Sequence, residues 1–309
     1  RDRLRPHLLP TPLRSHTVLY GVVVGGIRVL VKHDKFQPTG AFKVRNGLSA
    51  LTALHPAPSG VVAATRGNHG LGLAWAGRRL GIPVTVCVPE GNNPEKNAAV
   101  RALGARLVEE GRDYDASAAA VDRFVREEGL HVVHSTNDAT VVAGAGTITL
   151  EILEEAPGIE ALVFAVGGGS QAVGGLTVAR ALRPGLPVYG VQAAGAAAIH
   201  DAWHLGRPVF HPAADTFADG LATRNTYPFT FGALQAGLAG FVAVTDGAIA
   251  EALRLVLAST HTLVEGAGAA GLAGLLALRE ELAGKTVAVV LSGANIDAET
   301  LRRVLAREI

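Results

Sequence analysis

The chain has 309 residues, 49% hydrophobic and 18% charged, which is enough apolar material for the core of two ordinary domains or one large one. A formal net charge of +1 gives no reason to expect a nucleic-acid partner, and no apolar run is long enough and free enough of polar breaks to cross a bilayer. The lone cysteine, Cys87, excludes an internal disulfide and favours a reducing compartment, so we expect a cytoplasmic protein.

The first predicted elements lead to a lysine. The proline-rich stretch 9–13 is too rigid for a helix and predicts an extended entry arm. A strand is predicted at 27–33. Pro38 and Gly40 then predict a turn, after which a helix opens around Lys43 and continues to residue 54.

Lys43 is notable because lysine is scarce here: five of the 28 basic residues are lysines and 23 are arginines. Placed between Phe42 and Val44 beside a glycine turn, it is a candidate for a partly buried amine of lowered pKa. Such an amine can form a Schiff base with a carbonyl compound. On these residues alone, a helix-start lysine whose stem packs on apolar surface explains the pattern equally well.

Beyond residue 60, short apolar runs alternate with helical segments. Strands are predicted at 60–65, 84–88, 105–108, 131–134, 161–166, 188–193 and 286–292. Helices are predicted at 70–80, 95–103, 114–128 and 138–155, and after the last strand. Apolar runs of this length between helices are typical of parallel strands covered on both faces. The sequence therefore predicts a doubly wound α/β fold.

Three glycine-centred stretches fall where a predicted strand is followed by a helix, the position at which open α/β sheets bind ligands. In the first, Thr65, Arg66, Gly67, Asn68 and His69 precede a helix whose free N–H groups can meet an anion. An ordinary strand-to-helix turn explains the glycine spacing at least as well.

The second stretch contains Gly167, Gly168, Gly169 and Ser170. Backbone N–H groups free of Cβ crowding, a helix N-terminus and a hydroxyl suit a phosphate dianion. The stretch also fits a dinucleotide-binding glycine pattern, but that alternative expects an acidic residue after the next strand. The sequence has Gln192 there, which weakens the nucleotide interpretation.

The third stretch ends the last predicted strand and contains Ser292. A hydroxyl at this place can hydrogen-bond a bound ligand without adding a charge, whereas a carboxylate would favour the protonated form of a basic ligand atom. The structural alternative is a Ser-Gly turn with Asp297 capping the final helix.

Taken together, these strings resemble one family. Lys-His-Asp-Lys-Phe-Gln-Pro-Thr-Gly-Ala-Phe-Lys-Val-Arg, at 32–45, resembles the cofactor-lysine segment of the threonine/serine dehydratases. These are pyridoxal-phosphate (PLP) enzymes, grouped with serine racemase and the tryptophan synthase β-subunit. Further family strings match, in the same order, at 64–72, 142–147, 165–175, 264–270 and 290–297. The resemblance covers nearly the whole chain.

The resemblance implies roles for particular residues. Lys43 would carry PLP, the glycine stretch would hold its phosphate, and Ser292 would meet the pyridine nitrogen. The expected cofactor-binding residues are Phe42, Lys43, Asn68, Gly167, Gly168, Gly169, Ser170, Glu265 and Ser292. The expected substrate-binding residues are Thr65, Arg66, Gly67, Asn68 and His69, with Thr65 and Arg66 in the places of the family's two serines.

The family fold implies two doubly wound domains with mostly parallel sheets, as in the tryptophan synthase β-subunit. We expect a large PLP-binding domain from 1–52 and 139–309, a small mobile domain from 53–138, and a homodimer. The implied activity is elimination of water from a β-hydroxy amino acid, giving a 2-oxo acid and ammonia. The alternatives are another PLP reaction (a different β-elimination, β-replacement or racemisation) and a nucleotide- or ligand-binding protein without PLP.

The metal signals are weak. His200 and His204 are spaced i, i+4 on a predicted helix, but no Glu or Cys completes a ligand set. Serine racemase places a divalent cation with acids after the strand that matches 188–192, where this sequence has Gln192 and Ala198. We therefore expect no metal site.

Overall fold

The structure is a computed structural model, and it describes residues 1–23, 25–111 and 114–309. The strands in the described part are β1 (Leu13–Arg14), β2 (Arg28–Lys32), β3 (Val61–Ala64), β4 (Val84–Val88), β5 (Arg106–Glu109), β6 (His131–Val132), β7 (Ala161–Ala165), β8 (Val188–Ala193), β9 (Gly240–Val244) and β10 (Thr286–Val290). The helices are α1 (Thr17–Val22), α2 (Lys43–Leu51), α3 (Asn68–Leu80), α4 (Pro94–Ala102), α5 (Tyr114–Glu128), α6 (Ala139–Glu155), α7 (Ser170–Leu182), α8 (Ala198–Leu205), α9 (Pro228–Gly237), α10 (Asp246–Thr260), α11 (Gly266–Ala277) and α12 (Ala298–Leu305).

The chain divides into two compact units. The first contains residues 1–9 and 37–145, and the second contains residues 10–36 and 146–309. This division assigns 1–9, 37–52 and 139–145 to the first unit, whereas we predicted all three segments in the larger domain. The predicted boundaries concern the segment that closes on substrate, and they stay a prediction.

The first unit is built on a four-stranded parallel sheet in the order β5-β4-β3-β6. Every residue of β4 is buried, as expected for a strand covered on both faces. Two helices of this unit touch through their backbones. A Cβ at Gly47 of α2 would lie 2.6 Å from the carbonyl oxygen of Gly72 in α3, and one at Gly72 would collide with the carbonyl of Lys43. Glycine at both positions therefore allows α2 to lie directly on α3.

The second unit is built on a six-stranded sheet in the order β1-β2-β10-β7-β8-β9, in which only the short β1 is antiparallel. Its core includes α11, whose residues 266–275 are all buried. This helix is rich in glycine and alanine, and a Cβ at Gly274 would collide with the side chain of Val191 in β8. Both sheets confirm the predicted α/β fold with mostly parallel strands. Within the described ranges, no helix is long and apolar enough to cross a membrane.

Candidate active site

Lys43 is the first residue of α2, and it follows Phe42, the N-cap of that helix. Its amino group lies 5.0 Å from the centre of the Phe42 ring and donates a hydrogen bond of 3.4 Å to the carbonyl oxygen of Ser135. Burial lowers the pKa of Lys43 from 10.5 to about 8, because an ammonium ion loses hydration in an apolar setting. The neutral, nucleophilic amine is therefore accessible near neutral pH.

The glycine-centred loop of the first unit connects β3 to α3. Thr65 is buried, and its hydroxyl accepts a 3.0 Å hydrogen bond from the N–H of Gly67. Gly67 has little free space, since a Cβ there would lie 3.0 Å from Cδ of the buried Lys96. Arg66, between them, is exposed. The loop thus has a fixed backbone and presents one long cationic side chain outward.

His69 follows this loop, in the first turn of α3, and is buried. Its Nε2 lies 3.0 Å from the carbonyl oxygen of Val133. A carbonyl can only accept, so Nε2 carries the proton and Nδ1 is an acceptor; Nδ1 has no hydrogen-bond partner in the described part of the chain. Burial, with Lys43 as the next cause, lowers the pKa of His69 to about 3. His69 is therefore neutral at physiological pH.

The segment after β6 contributes residues that the sequence analysis did not select. Nδ1 of His134 accepts hydrogen bonds from the backbone N–H groups of Thr136, at 3.0 Å, and Asn137, at 2.8 Å. This fixes the tautomer with the proton on Nε2. Burial and then Lys43 lower the pKa of His134, which disfavours its protonated form. Because Ser135 is spaced 92 residues from Lys43 along the chain, only its place just after the edge strand β6 could have suggested this contact.

In the second unit, the other glycine stretch connects β7 to α7. Gly169 has φ +98°, which glycine adopts without strain, and a Cβ at Gly167 would collide with the carbonyl of Gly220. The hydroxyl of Thr230 donates to the carbonyl of Gly168 at 2.8 Å, and that of Thr223 donates to the carbonyl of Gly167 at 3.5 Å. No local sequence pattern marks either threonine, because both lie more than fifty residues from the stretch and follow no recognisable motif.

The helix after this stretch offers a favourable place for an anion. Ser170, its first residue, is buried, and the first turn contains no acidic side chain. No carboxylate of the same turn therefore neutralises the positive end of the α7 dipole or accepts hydrogen bonds from the N–H groups at its start. This agrees with the predicted phosphate-binding role of Gly167, Gly168, Gly169 and Ser170, which stays a prediction.

Ser292 lies two residues beyond β10 and is buried. Because β10 and β7 are parallel neighbours, Ser292 and the glycine stretch after β7 lie at the same edge of this sheet. Glu265 caps the N-terminus of α11, is also buried, and donates its N–H to the carbonyl of Gly293 at 3.0 Å. The structure therefore places Glu265 next to the Ser292 turn.

The candidate metal residues have other partners. His200 Nδ1 lies 2.8 Å from Asp201 Oδ1, and His204 Nε2 lies 3.2 Å from the carbonyl of Phe241. Gln192 Oε1 accepts the N–H groups of Ile199 and His200 at the start of α8. Among the residues that the structure describes, no group of three or more His, Cys, Asp or Glu side chains can hold a metal ion.

Comparison with known proteins places the chain in a family. The family model described as pyridoxal-phosphate dependent enzyme matches residues 4–293. L-threonine ammonia-lyase of Geobacter sulfurreducens is 38% identical over 310 residues, which cover 99% of this chain and 76% of the relative. Structures of the processed form of threonine deaminase isoform 2 from Solanum lycopersicum (TM-score 0.91, 30% identity, 96% of this chain and 83% of the other) and of maize serine racemase (TM-score 0.93, 26% identity, 99% of this chain and 94% of the other) share the fold.

The chain belongs to the pyridoxal-phosphate dependent enzyme family, and PLP is its cofactor. The predicted class, a PLP-dependent lyase with the fold of the dehydratases and serine racemases, is confirmed. The predicted roles of individual residues and the predicted homodimer stay predictions.

Proposed function

We propose that this protein is a dehydratase that removes water from a small β-hydroxy amino acid of the threonine or serine type and releases a 2-oxo acid and ammonia. The observation that carries the proposal is the setting of Lys43, a lysine at the start of α2 whose burial lowers its pKa to about 8. Similarity to L-threonine ammonia-lyase and threonine deaminase supports the reaction class. Similarity to serine racemase supports only an amino-acid substrate.

The residues of each unit fit PLP. In the first unit, the Lys43 amine suits the cofactor's aldehyde. In the second, the buried Ser170 hydroxyl and the start of α7, whose first turn has no acidic side chain, suit its phosphate. The Ser292 hydroxyl suits the pyridine nitrogen, which a carboxylate would instead hold protonated. We assign cofactor binding to Phe42, Lys43, Asn68, Gly167, Gly168, Gly169, Ser170, Glu265 and Ser292.

When bound, PLP supplies an electron sink for the pair left on the substrate's Cα after deprotonation. Lys43 then acts as the general base that takes the α-proton, a role that a pKa near the working pH favours. His69, whose pKa is lowered to about 3, is neutral and adds no positive charge that would further lower the pKa of this amine, and the lowered pKa of His134 disfavours its charged form.

Arg66 distinguishes elimination from racemisation. Racemisation needs a second group to exchange a proton on the opposite face of Cα, and a guanidinium, which holds its proton at neutral pH, cannot do this. A guanidinium suits a carboxylate instead, in a geometry that can be bidentate. Since Arg66 is exposed and follows the buried Thr65, we assign it to binding a substrate carboxylate, with Thr65, Gly67, Asn68 and His69 forming the surrounding loop.

The test is product analysis on the purified holoenzyme. We expect equal amounts of 2-oxo acid and ammonia from L-threonine or L-serine, measured by separate enzyme-coupled assays. Lys43→Ala should abolish both products and retain the circular dichroism spectrum of the fold, whereas the control Lys285→Ala should keep them. Conversion of L-serine to D-serine without ammonia, or full activity of Lys43→Ala, would contradict the proposal.

A further inference from the structure

Gln171, the second residue of α7, buries a polar side chain that is only 4% exposed. Its Nε2 has no hydrogen-bond partner among the residues that the structure describes. A buried amide donor without an acceptor is destabilising, and an apolar residue of similar size would pack here without that cost. The donor therefore indicates that something else supplies an acceptor.

The position of Gln171 narrows the choice of acceptor. Gln171 lies in the first turn of α7, directly after the buried Ser170 and two residues after Gly169, the last residue of the glycine stretch. The carbonyls of that stretch already have donors. Gly167 and Gly168 accept from the hydroxyls of Thr223 and Thr230, and Gly169 accepts from the N–H of Val173 at 2.9 Å. Each of these three carbonyls already accepts a hydrogen bond, so a ligand oxygen bound at this end of the helix is an acceptor that Gln171 can use.

We propose that Gln171 is a further cofactor-binding residue, whose Nε2 donates a hydrogen bond to a phosphate oxygen of PLP. A phosphate dianion bears several oxygen acceptors and forms stronger hydrogen bonds than a neutral acceptor does. A donor held in a buried, water-poor place at a helix N-terminus is well suited to it. This inference rests on the proposed assignment of residues 167–170 to the phosphate.

Paired titrations test the inference. Cofactor-free protein is titrated with PLP and, separately, with pyridoxal, which lacks the phosphate, and binding is followed by visible absorbance. Gln171→Leu should raise the Kd for PLP about 10- to 100-fold and leave the Kd for pyridoxal unchanged, as expected for one lost hydrogen bond to a charged group. Gln171→Glu, which replaces the donor by a carboxylate, should weaken PLP binding more than leucine does.

Two further variants make the outcome specific. Gln235→Leu removes an exposed glutamine whose amide donates to the carbonyl of Trp203, and it should leave both dissociation constants unchanged. Ser170→Ala probes the phosphate assignment itself. One outcome would overturn the role of Gln171 alone. In it, Ser170→Ala binds PLP more weakly, but Gln171→Leu keeps the wild-type ratio of the Kd for PLP to the Kd for pyridoxal.

If the ratio of the Kd for PLP to the Kd for pyridoxal is unchanged in both Ser170→Ala and Gln171→Leu, the phosphate assignment is wrong, and this inference fails with it. The melting temperature of the cofactor-free Gln171→Leu protein should equal or exceed that of the wild type, because the unsatisfied donor is gone. If the Gln171→Leu protein does not fold, Gln171→Met, which keeps the length of the side chain, is titrated with PLP and with pyridoxal in its place.

Discussion

The amino group of Lys32 lies 2.8 Å from Oε2 of Glu151, with the Lys32 side chain wholly buried. The same amino group donates to the carbonyl of Thr11 at 2.5 Å, and Glu151 accepts the N–H of Thr11 at 3.2 Å. One ion pair thus satisfies both backbone groups of a residue in the proline-rich arm. This relationship fixes the arm within the second unit, beside β2 and α6.

Removal of the lysine alone should therefore be costly. Lys32→Met leaves the Glu151 carboxylate buried without its cation, and we expect a loss of about 3–5 kcal/mol in the free energy of unfolding. The double variant Lys32→Met/Glu151→Leu should recover part of that loss, because no isolated charge remains. Urea unfolding of the holoenzyme measures both. Arg302→Met, in an exposed ion pair, is the control and should not shift the midpoint; equal midpoints for all variants would refute the expectation.

The rate at which the cofactor-free protein captures PLP should rise with pH. Burial lowers the pKa of Lys43 below its unfolded value of 10.5, to about 8, so protons leave this amine in the folded state first. Only the neutral amine attacks an aldehyde, and its fraction is about one tenth at pH 7. Stopped-flow absorbance should show capture increasing from pH 6 to 8 and levelling above about 9.

The same measurement tests the histidines. His69, with a pKa lowered to about 3, stays neutral over this range, so the profile should show no second step near pH 6.5. A midpoint near 10.5 would show that Lys43 is not buried in solution. The lowered pKa also predicts that the cofactor-free fold gains stability as pH rises from about 8 to 10.5, where only the unfolded lysine is still protonated.

Ser292 provides a test of the ring partner. If its hydroxyl meets a neutral pyridine nitrogen, Ser292→Asp should hold that nitrogen protonated and make the ring a stronger electron acceptor. We expect slower release of 2-oxo acid and more transamination product, measured by chromatography of both products. Ser292→Ala, which cannot carry a charge, should not increase transamination. An unchanged product ratio in Ser292→Asp would exclude Ser292 as the ring partner.

Arg66 provides a test of specificity. Arg66→Ala should lower kcat/KM by a factor equivalent to about 2–5 kcal/mol, as expected when the cation that binds a substrate carboxylate is removed. The control Arg78→Ala removes an arginine from the last turn of α3 and should have no such effect. The wild type should eliminate from only one configuration of serine. Equal turnover of L- and D-serine, or unchanged kcat/KM on serine, threonine and 3-hydroxyaspartate, would defeat the assignment.

The order of strands and helices and much of the candidate site could be predicted from the sequence. Lys43, the two glycine stretches and Ser292 are recognisable because each follows a short apolar run and depends on local backbone chemistry. The predicted helix from Lys43 was too long, since α2 ends at Leu51 rather than at residue 54. Residues 112 and 113 lie outside the described ranges.

What the sequence did not reveal are contacts between distant segments. Thr223 and Thr230 act on the glycine stretch through tertiary hydrogen bonds, and no local pattern marks them. His134 and Ser135 approach Lys43 only because β6 ends beside it in the folded unit. The unsatisfied amide of Gln171 is equally invisible, because a glutamine at the start of a helix is usually exposed.

The direct contact between α2 and α3 has a consequence for how this enzyme can diversify. Gly47 and Gly72 leave no room for even one methyl group, so the interval between the Lys43 backbone and the 65–68 loop is set by main-chain atoms alone. Substitutions elsewhere cannot lengthen or shorten that distance by small amounts, as they can where side chains separate two helices. New substrate preferences must therefore arise from substituted side chains on a backbone that does not move. Position 66 is exposed, so a substitution there leaves the buried packing undisturbed.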